Sequence, residues 1–358
     1  MTKVSGCLAR LAAVVLLALG LCLPMASQPA PRELARAQGK AENALLDWVL
    51  LNSGPLKGDI RAAQFRVAYT ITPAEGWWQK AAGGTLEWHE PPEESFHLRV
   101  FVADADGRLL STVRLHALLI DADGNQQAAP VIFGWYPLIN AYGANVPLDS
   151  PGGLRLHVVV EAQRATPDEI VDFPSVDVTE ESLSHIPLAT AVIPATEAEL
   201  LKPYNDALSA AITAMWKRSS AGEERADGDY FIGYAIAPVD GAEERLKRGL
   251  KLGHDNWGLS LLVRDSRTGR LIPELHPQVS FAEQDGKRAT VEAFETAERS
   301  GMQVYLADSR IREHGAALRV HFDAPAFRRW GRQSERFARA GEVEFPAAKE
   351  AAKVKERK

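Results

Sequence analysis

Along most of the chain, hydrophobic and polar positions form short runs. The segments 98–103, 113–121, 154–160, 259–264, 277–281 and 318–322 are rich in Val, Leu, Ile and Phe. Several alternate with a period of two, the mark of a strand with one buried face. Turn pairs separate them: Asp106-Gly107, Asp123-Gly124, Gly152-Gly153, Thr268-Gly269 and Asp285-Gly286. Glycine in such pairs takes the backbone conformations that reverse a chain between strands. Two segments read differently. ENALLDWVLL (42–51) and ALSAAITAMWK (207–217) carry good helix formers with apolar residues three and four apart, which predicts helices. Short strands with frequent turns predict a mainly β protein of immunoglobulin-like β-sandwiches, each preceded by a short helix. The paired cysteines of true immunoglobulin domains are absent, so the expectation concerns architecture.

The pattern occurs twice. FRVAYTITPAEG (65–76) and FIGYAIAPVDG (231–241) match at Tyr69/Tyr234, Ile71/Ile236, Pro73/Pro238 and Gly76/Gly241, at a constant offset of 165 residues. HLRVFVADADGRLL, from His97, matches GLSLLVRDSRTGRLI, from Gly258, at Val102/Val263, Asp104/Asp265 and, after one inserted residue, Gly107-Arg108-Leu109/Gly269-Arg270-Leu271. A period this long is not a solenoid repeat; it predicts two copies of one domain. The expected divisions are a leader at 1–27, a segment with a helix at 28–64, a first sandwich at 65–163, a linker with a helix at 164–229, a second sandwich at 230–345 and a charged tail at 346–358.

The leader changes the picture of location. Lys3 and Arg10 precede an apolar stretch at 11–23, followed by Pro24, Met25, Ala26 and Ser27. This is the layout of a secretory signal peptide, so the mature protein is expected in the periplasm with no membrane span. Cys7 and Cys22 are the only cysteines, and both lie in this leader. The mature chain then has no disulfide, thiol nucleophile or zinc-thiolate cluster. With 358 residues, 46% of them hydrophobic and 25% charged, the chain can hold itself together by core burial. A net charge of −6 argues against nucleic acid as partner.

Nine histidines are the main soft donors left. No HExxH, nucleophile elbow, phosphate loop or dinucleotide fingerprint occurs, and the chain is read as a non-enzyme. A hydrolase would need a polar nucleophile beside His and a carboxylate in a cleft. His89 (LEWHEP) and His254 (LGHDNW) share the 165-residue offset, each beside a carboxylate that could orient it as a ligand. His97 opens a strand in the first copy; Gly258 stands there in the second. His276 starts the next strand of the second copy. Each of these is equally at home as a surface or core histidine. His157 and His321 lie in the last strand of each copy and read as structural. Two DADG stretches lack the downstream Glu of a calcium loop and read as hairpin turns. Trp77, Trp78, Trp88, Trp135 and Tyr136 cluster in the first copy, either as core or as an exposed platform for a glycan.

GHDNWGLSLLVRDSRTGRLIPEL (253–275) and YPLINAYGANVPL (136–148) resemble the periplasmic iron-transport accessory family, over some 70–100 residues of each copy. That family comprises exported β-sandwich proteins that bind copper or another divalent metal beside an iron permease, as homodimers with metal near the interface. Its pattern includes a His-Leu strand opening and a Met…His-Tyr-Gly-x-Asn loop. Here His97-Leu98 is kept, but Ala141 precedes Tyr142-Gly143-Ala144-Asn145 and Leu138 stands nearest the Met position. In the second copy the loop is matched to Ser300-Gly301-Met302-Gln303. The resemblance implies a divalent-metal cofactor, copper or iron, an inner-membrane metal permease as partner, and a ligand set drawn from His89, His97, His254, His276 and Met302. The expected function is an exported metal-binding accessory protein. The alternative is a metal-free periplasmic module that binds a protein or glycan.

Overall fold

A computed structural model describes residues 31–346, except 63, 82–83, 112, 137, 148–151, 162–168, 185–192, 220, 239–256, 283–287, 292–293, 300–301, 309–316 and 333–335. The leader, His185, His254, His314 and the charged tail lie outside the described residues. Among the described residues, no helix is long and apolar enough to cross a membrane.

The chain opens with helix α1 (Pro31–Asn52) and runs through β1 (Lys57–Ala62), β2 (Phe65–Pro73), β3 (Trp77–Lys80), β4 (Leu86–His89), β5 (Ser95–Ala103), β6 (Arg114–Ile120), β7 (Gln126–Ala129), β8 (Ile132–Trp135), β9 (Ala141–Pro147), β10 (Gly152–Glu161), β11 (Glu169–Asp172) and β12 (Val176–Val178). Helices α2 (Glu180–Ser184) and α3 (Ile193–Arg218) follow. The second half contains β13 (Ala221–Asp227), β14 (Tyr230–Pro238), β15 (Trp257–Asp265), β16 (Gln278–Ala282), β17 (Arg288–Val291), β18 (Glu295–Arg299), β19 (Met302–Asp308), β20 (Leu318–Phe322), β21 (Arg328–Trp330) and β22 (Gly341–Phe345). The fold is mainly β, as the pattern predicts. Both helices are longer than their predicted cores. The stretch read as a linker contains β11, β12, α2, α3 and β13.

The two halves share one strand order. In the first, β1-β2-β5-β9-β8 faces β7-β6-β10-β11; in the second, β13-β14-β15-β19-β18 faces β17-β16-β20-β22. Register repeats too. Tyr69 pairs with Val100 and Ile71 with Leu98, as Tyr234 pairs with Leu261 and Ile236 with Leu259. The loop after the Arg-Leu hairpin is held alike in both halves. The Val113 amide donates to the Tyr142 hydroxyl at 3.0 Å, and the Leu275 amide to the Tyr305 hydroxyl at 3.2 Å. Register therefore sets Tyr305-Leu306-Ala307-Asp308 opposite Tyr142-Gly143-Ala144-Asn145, and not the 300–303 segment that the sequence matching chose. The shared aromatic comes five residues later, within β19, where Tyr305 pairs with Leu261 as Tyr142 pairs with Val100.

The halves are joined by strand exchange. β21, from the second half, pairs in parallel with β8 and antiparallel with β3. The first sheet thus has eight strands, in the order β1-β2-β5-β9-β8-β21-β3-β4. The β3–β4 hairpin reaches the rest of its own sheet only through that strand. Inside each sandwich, residues such as Val67, Leu98, Val100, Val158, Leu259, Val263 and Val320 are fully buried and form the main core. A second core lies where the helices meet the outer sheet faces. Leu34, Leu45, Leu46 and Val49 of α1 and Leu201, Leu208, Ile212 and Met215 of α3 meet Phe101, Ile139, Leu262, Val304 and Trp330 there. This cover explains why β2 and β5 lose the alternation expected of a half-exposed strand: both of their faces are buried.

Candidate functional site

The outer face of the eight-stranded sheet carries the polar chemistry. On β5 and β9, His97 lies opposite Asn145 and Arg99 opposite Gly143. His97 is 0% exposed, a position that calls for hydrogen bonds to both ring nitrogens. Both are made: Nδ1 lies 2.9 Å from Asn145 Oδ1 and Nε2 lies 2.8 Å from the Tyr136 hydroxyl.

The neighbours fix the tautomer. Asn145 Nδ2 donates to the Glu75 carbonyl at 2.7 Å, and its Oδ1 accepts from the Glu75 amide at 3.2 Å. Asn145 Oδ1 is therefore the acceptor toward His97, so Nδ1 carries the proton. Nε2 is left as an acceptor, and the Tyr136 hydroxyl donates to it. Gly143 makes room for that hydroxyl, since a Cβ there would come within 1.8 Å of Tyr136 Oη. Burial is the main cause that lowers the His97 pKa to about 4, with Glu75 acting against the shift and Arg99 adding to it. Burial is the largest single influence on Glu75 and pushes its carboxyl upward, but Arg99, His97 and Thr72 together outweigh it and hold the carboxyl below its ordinary value.

This arrangement makes a pH prediction. His97 is neutral in the fold, while the unfolded chain takes up a proton near the ordinary histidine pKa of about 6.5. Between about 6.5 and about 4 the unfolded state binds more protons, so stability rises with pH across that window. The contribution is complete above pH 6.5 and is lost as pH falls toward 4. Its full size is about 3 kcal/mol, at 1.36 kcal/mol per pKa unit. Chemical unfolding between pH 4 and 7 should show this slope in the native chain and a shallower one in His97→Gln. Equal slopes would remove the assignment.

A ladder of rings and cations extends from this network across the sheet. The Arg99 guanidinium lies 4.7 Å from the Tyr136 ring centre. Tyr136 stacks on Trp330 at 6.0 Å, and Trp330 meets the His97 ring at 4.2 Å and Trp77 at 5.3 Å. Arg328 lies over Trp77 at 4.8 Å and over Trp330 at 5.7 Å. His89 stacks on Trp77 at 5.0 Å, with the planes 5° apart. Gly134 admits Trp330, because a Cβ there would lie 2.5 Å from its Nε1. The inner end of the ladder is sealed and the outer end, at Trp77, Arg328 and His89, is partly exposed.

The residues singled out in the sequence thus go to different places. His97 is in the network and His89 is at the outer end of the ladder. His276 is exposed in the segment before β16. Met302 is 3% exposed and part of the core between the halves. His254 lies outside the described residues. In the second half the counterparts of His97 and Asn145 are Gly258 and Asp308, which pair across β15 and β19. His157 meets Asp172 at 2.7 Å across β10 and β11, and His321 lies 3.6 Å from Glu342 across β20 and β22. These are matched cross-strand pairs of the repeat.

The donors around His97 do not fit a metal ion. Its free lone pair is occupied by Tyr136, and Ala141 and Leu138, beside the network, offer no donor atom. Among the described residues, no three His, Cys, Asp or Glu side chains are grouped to hold one. Sequence reasoning missed Trp330, Arg328, Tyr136 as a hydrogen-bond partner, and Glu75. The one available signal was the RRWGR run at 328–332, where three arginines and a tryptophan fall within five residues.

No family model and no curated protein matches the chain. Solved structures similar to part of it include a DUF4426 family protein and two forms of FetP. A DUF4426 family protein from Pseudomonas aeruginosa PAO1 is 12% identical, with a TM-score of 0.26, over 34% of this chain and 96% of that one. A copper-bound variant of FetP from uropathogenic Escherichia coli strain F11 is 14% identical, with a TM-score of 0.26, over 34% of this chain and 95% of that one. FetP of the same strain, as isolated, is 13% identical, with a TM-score of 0.25, over 34% of this chain and 97% of that one.

Proposed function

We propose that the chain is an exported, metal-free binding module, in which the network around His97 is structural and the partly exposed ladder on β3, β4 and β21 meets the partner. Export rests on the leader at 1–27. The observation that supports the reading is the double engagement of the His97 ring, with Asn145 on Nδ1, Tyr136 on Nε2 and Trp330 against its face. An imidazole held this way orients its surroundings and has no lone pair to offer. The reading is non-enzymatic: both ring nitrogens of His97 are spent on the Asn145 amide and the Tyr136 hydroxyl, and the ring is 0% exposed, out of reach of a substrate.

One observation favours a second reading, an accessory protein that carries copper or iron to an inner-membrane permease. His97 and Asn145, which belong to the two motifs of the resemblance, do meet across β5 and β9. That reading needs ligands beyond His97, with His254 the first candidate.

Metal content decides between them. The mature protein, purified without chelators, should contain well under one-tenth of an equivalent of any transition metal by mass spectrometry. Its melting temperature should not move with Cu(II), Zn(II) or Mn(II). A metal that binds the native state at a hundred times its Kd would add about 2.7 kcal/mol of stability, which a thermal scan resolves. One equivalent of bound metal with such a rise would overturn the metal-free reading and establish the second.

A further inference from the structure

Seven arginines lie over aromatic rings among the described residues: Arg99, Arg225, Arg264, Arg328, Arg329, Arg332 and Arg336. Six of them also have a partner that answers their charge. Arg99 pairs with Glu75, Arg225 with Glu223, Arg264 with Glu224 and Arg332 with Glu90. Arg336 pairs with Asp229 and Asp265. Arg329, buried, donates to the carbonyls of Pro325, Phe327, Arg336 and Phe337. Arg328 is the exception: among the described residues it makes no hydrogen bond and no ion pair, and its Nε is buried without a partner.

An uncompensated guanidinium in a half-buried site is costly unless something supplies the missing acceptors. Ring faces supply part of the answer, since a cation over two indoles is stabilised by their quadrupoles. They supply no acceptor, however, and the N–H groups point out at the guanidinium edges, in its own plane. Trp77 and Trp330, with ring centres 5.3 Å apart, both lie to one side of it, at 4.8 and 5.7 Å. A ligand that takes up those N–H groups approaches edge-on. A planar carboxylate matches that fork with two parallel hydrogen bonds. Burial also lowers the Arg328 pKa from its ordinary value, the direction expected of a cation that lacks its counter-ion.

The geometry points to a carboxylate-binding site at Arg328, backed on one side by Trp77 and Trp330 and open at the partly exposed end of the ladder. This deepens the metal-free reading and rests on it, by giving the partner its chemistry: a ligand with a free carboxylate. The indoles serve as the reporter. Sodium glucuronate and sodium acetate, titrated against metal-free protein at constant ionic strength with sodium chloride, should produce a saturable change in tryptophan emission. Inorganic phosphate should do so at least tenfold more weakly. Arg328→Gln should abolish the change, Arg328→Lys should weaken it at least tenfold, and Arg332→Gln should leave it intact. If Arg328→Gln does not fold, the Arg328→Lys titration decides. No saturation with either carboxylate, saturation by phosphate alone, or unaltered binding in Arg328→Lys would overturn the site. Metal content is measured separately, so failure here leaves the metal-free reading standing, and failure there does not hide behind this titration.

Discussion

Residues 28–184, produced without the second half, will not form the sheet they form in the whole chain. β21 supplies the strand between β8 and β3, so the fragment has an unpaired β8 edge and a detached β3–β4 hairpin. Two strands on their own are marginal in water, and an open edge invites pairing between molecules. The main core is breached as well. Phe133 packs on Phe327 at 6.0 Å, and Trp135 on Phe337 at 5.8 Å, both of which the second half contributes. Glu42 of α1, only 2% exposed, loses Arg270, 3.4 Å away. The expected result is a fragment that aggregates or lacks near-ultraviolet circular dichroism, and that recovers a cooperative transition when residues 193–346 are co-produced. A fragment that is monomeric, with protected amides at 77–80 and 86–89, would refute the account.

Replacing Trp330 with alanine should destabilise the protein by about 3–5 kcal/mol, the usual cost of emptying a buried aromatic site. Trp330 is 0% exposed and touches His97, Tyr136 and Trp77. The site cannot collapse easily, because Gly134 beneath it has no side chain to move in. Trp330→Phe keeps a ring there and should cost less than half as much. Urea unfolding measures both. Hydrogen exchange should show the largest loss of protection at β3 and β4, which are anchored through this residue's strand. A cost below 1 kcal/mol would mean that the aromatic ladder is not what fastens the hairpin.

Much of this fold was legible in the sequence, for physical reasons. Strands β6, β10, β16 and β20 coincide with the predicted runs to within two residues at each end, because apolar residues concentrate wherever a sandwich interior must be filled. The likeness of the two halves was visible because Tyr69 and Tyr234 hold the same place in the register and both halves carry a Gly-Arg-Leu turn. Other parts left no local trace. β3, β4 and β21 are three or four residues long, and nothing in RRW or LEWH declares a strand until partners from distant segments are present. The matching at 300–303 failed for a related reason: a tyrosine that hydrogen-bonds the backbone of a hairpin loop is recognised by its partner, not by its neighbours. The site was half visible. His97 stood out as a strand-opening histidine. Its environment was hidden, because Tyr136, Trp330 and Glu75 reach it from 39, 233 and 22 residues away.

The exchanged strand also sets a schedule for the molecule's birth. β8 is complete by residue 135, and its neighbour begins at residue 328, so almost two hundred residues must be made before the first sheet can close. Closing so long a loop costs entropy before any contact repays it, and chains dominated by such distant pairings fold slowly. Throughout that interval the early half waits with its edge bare. A chain that stops before residue 328 therefore lacks the strand that joins β8 to β3.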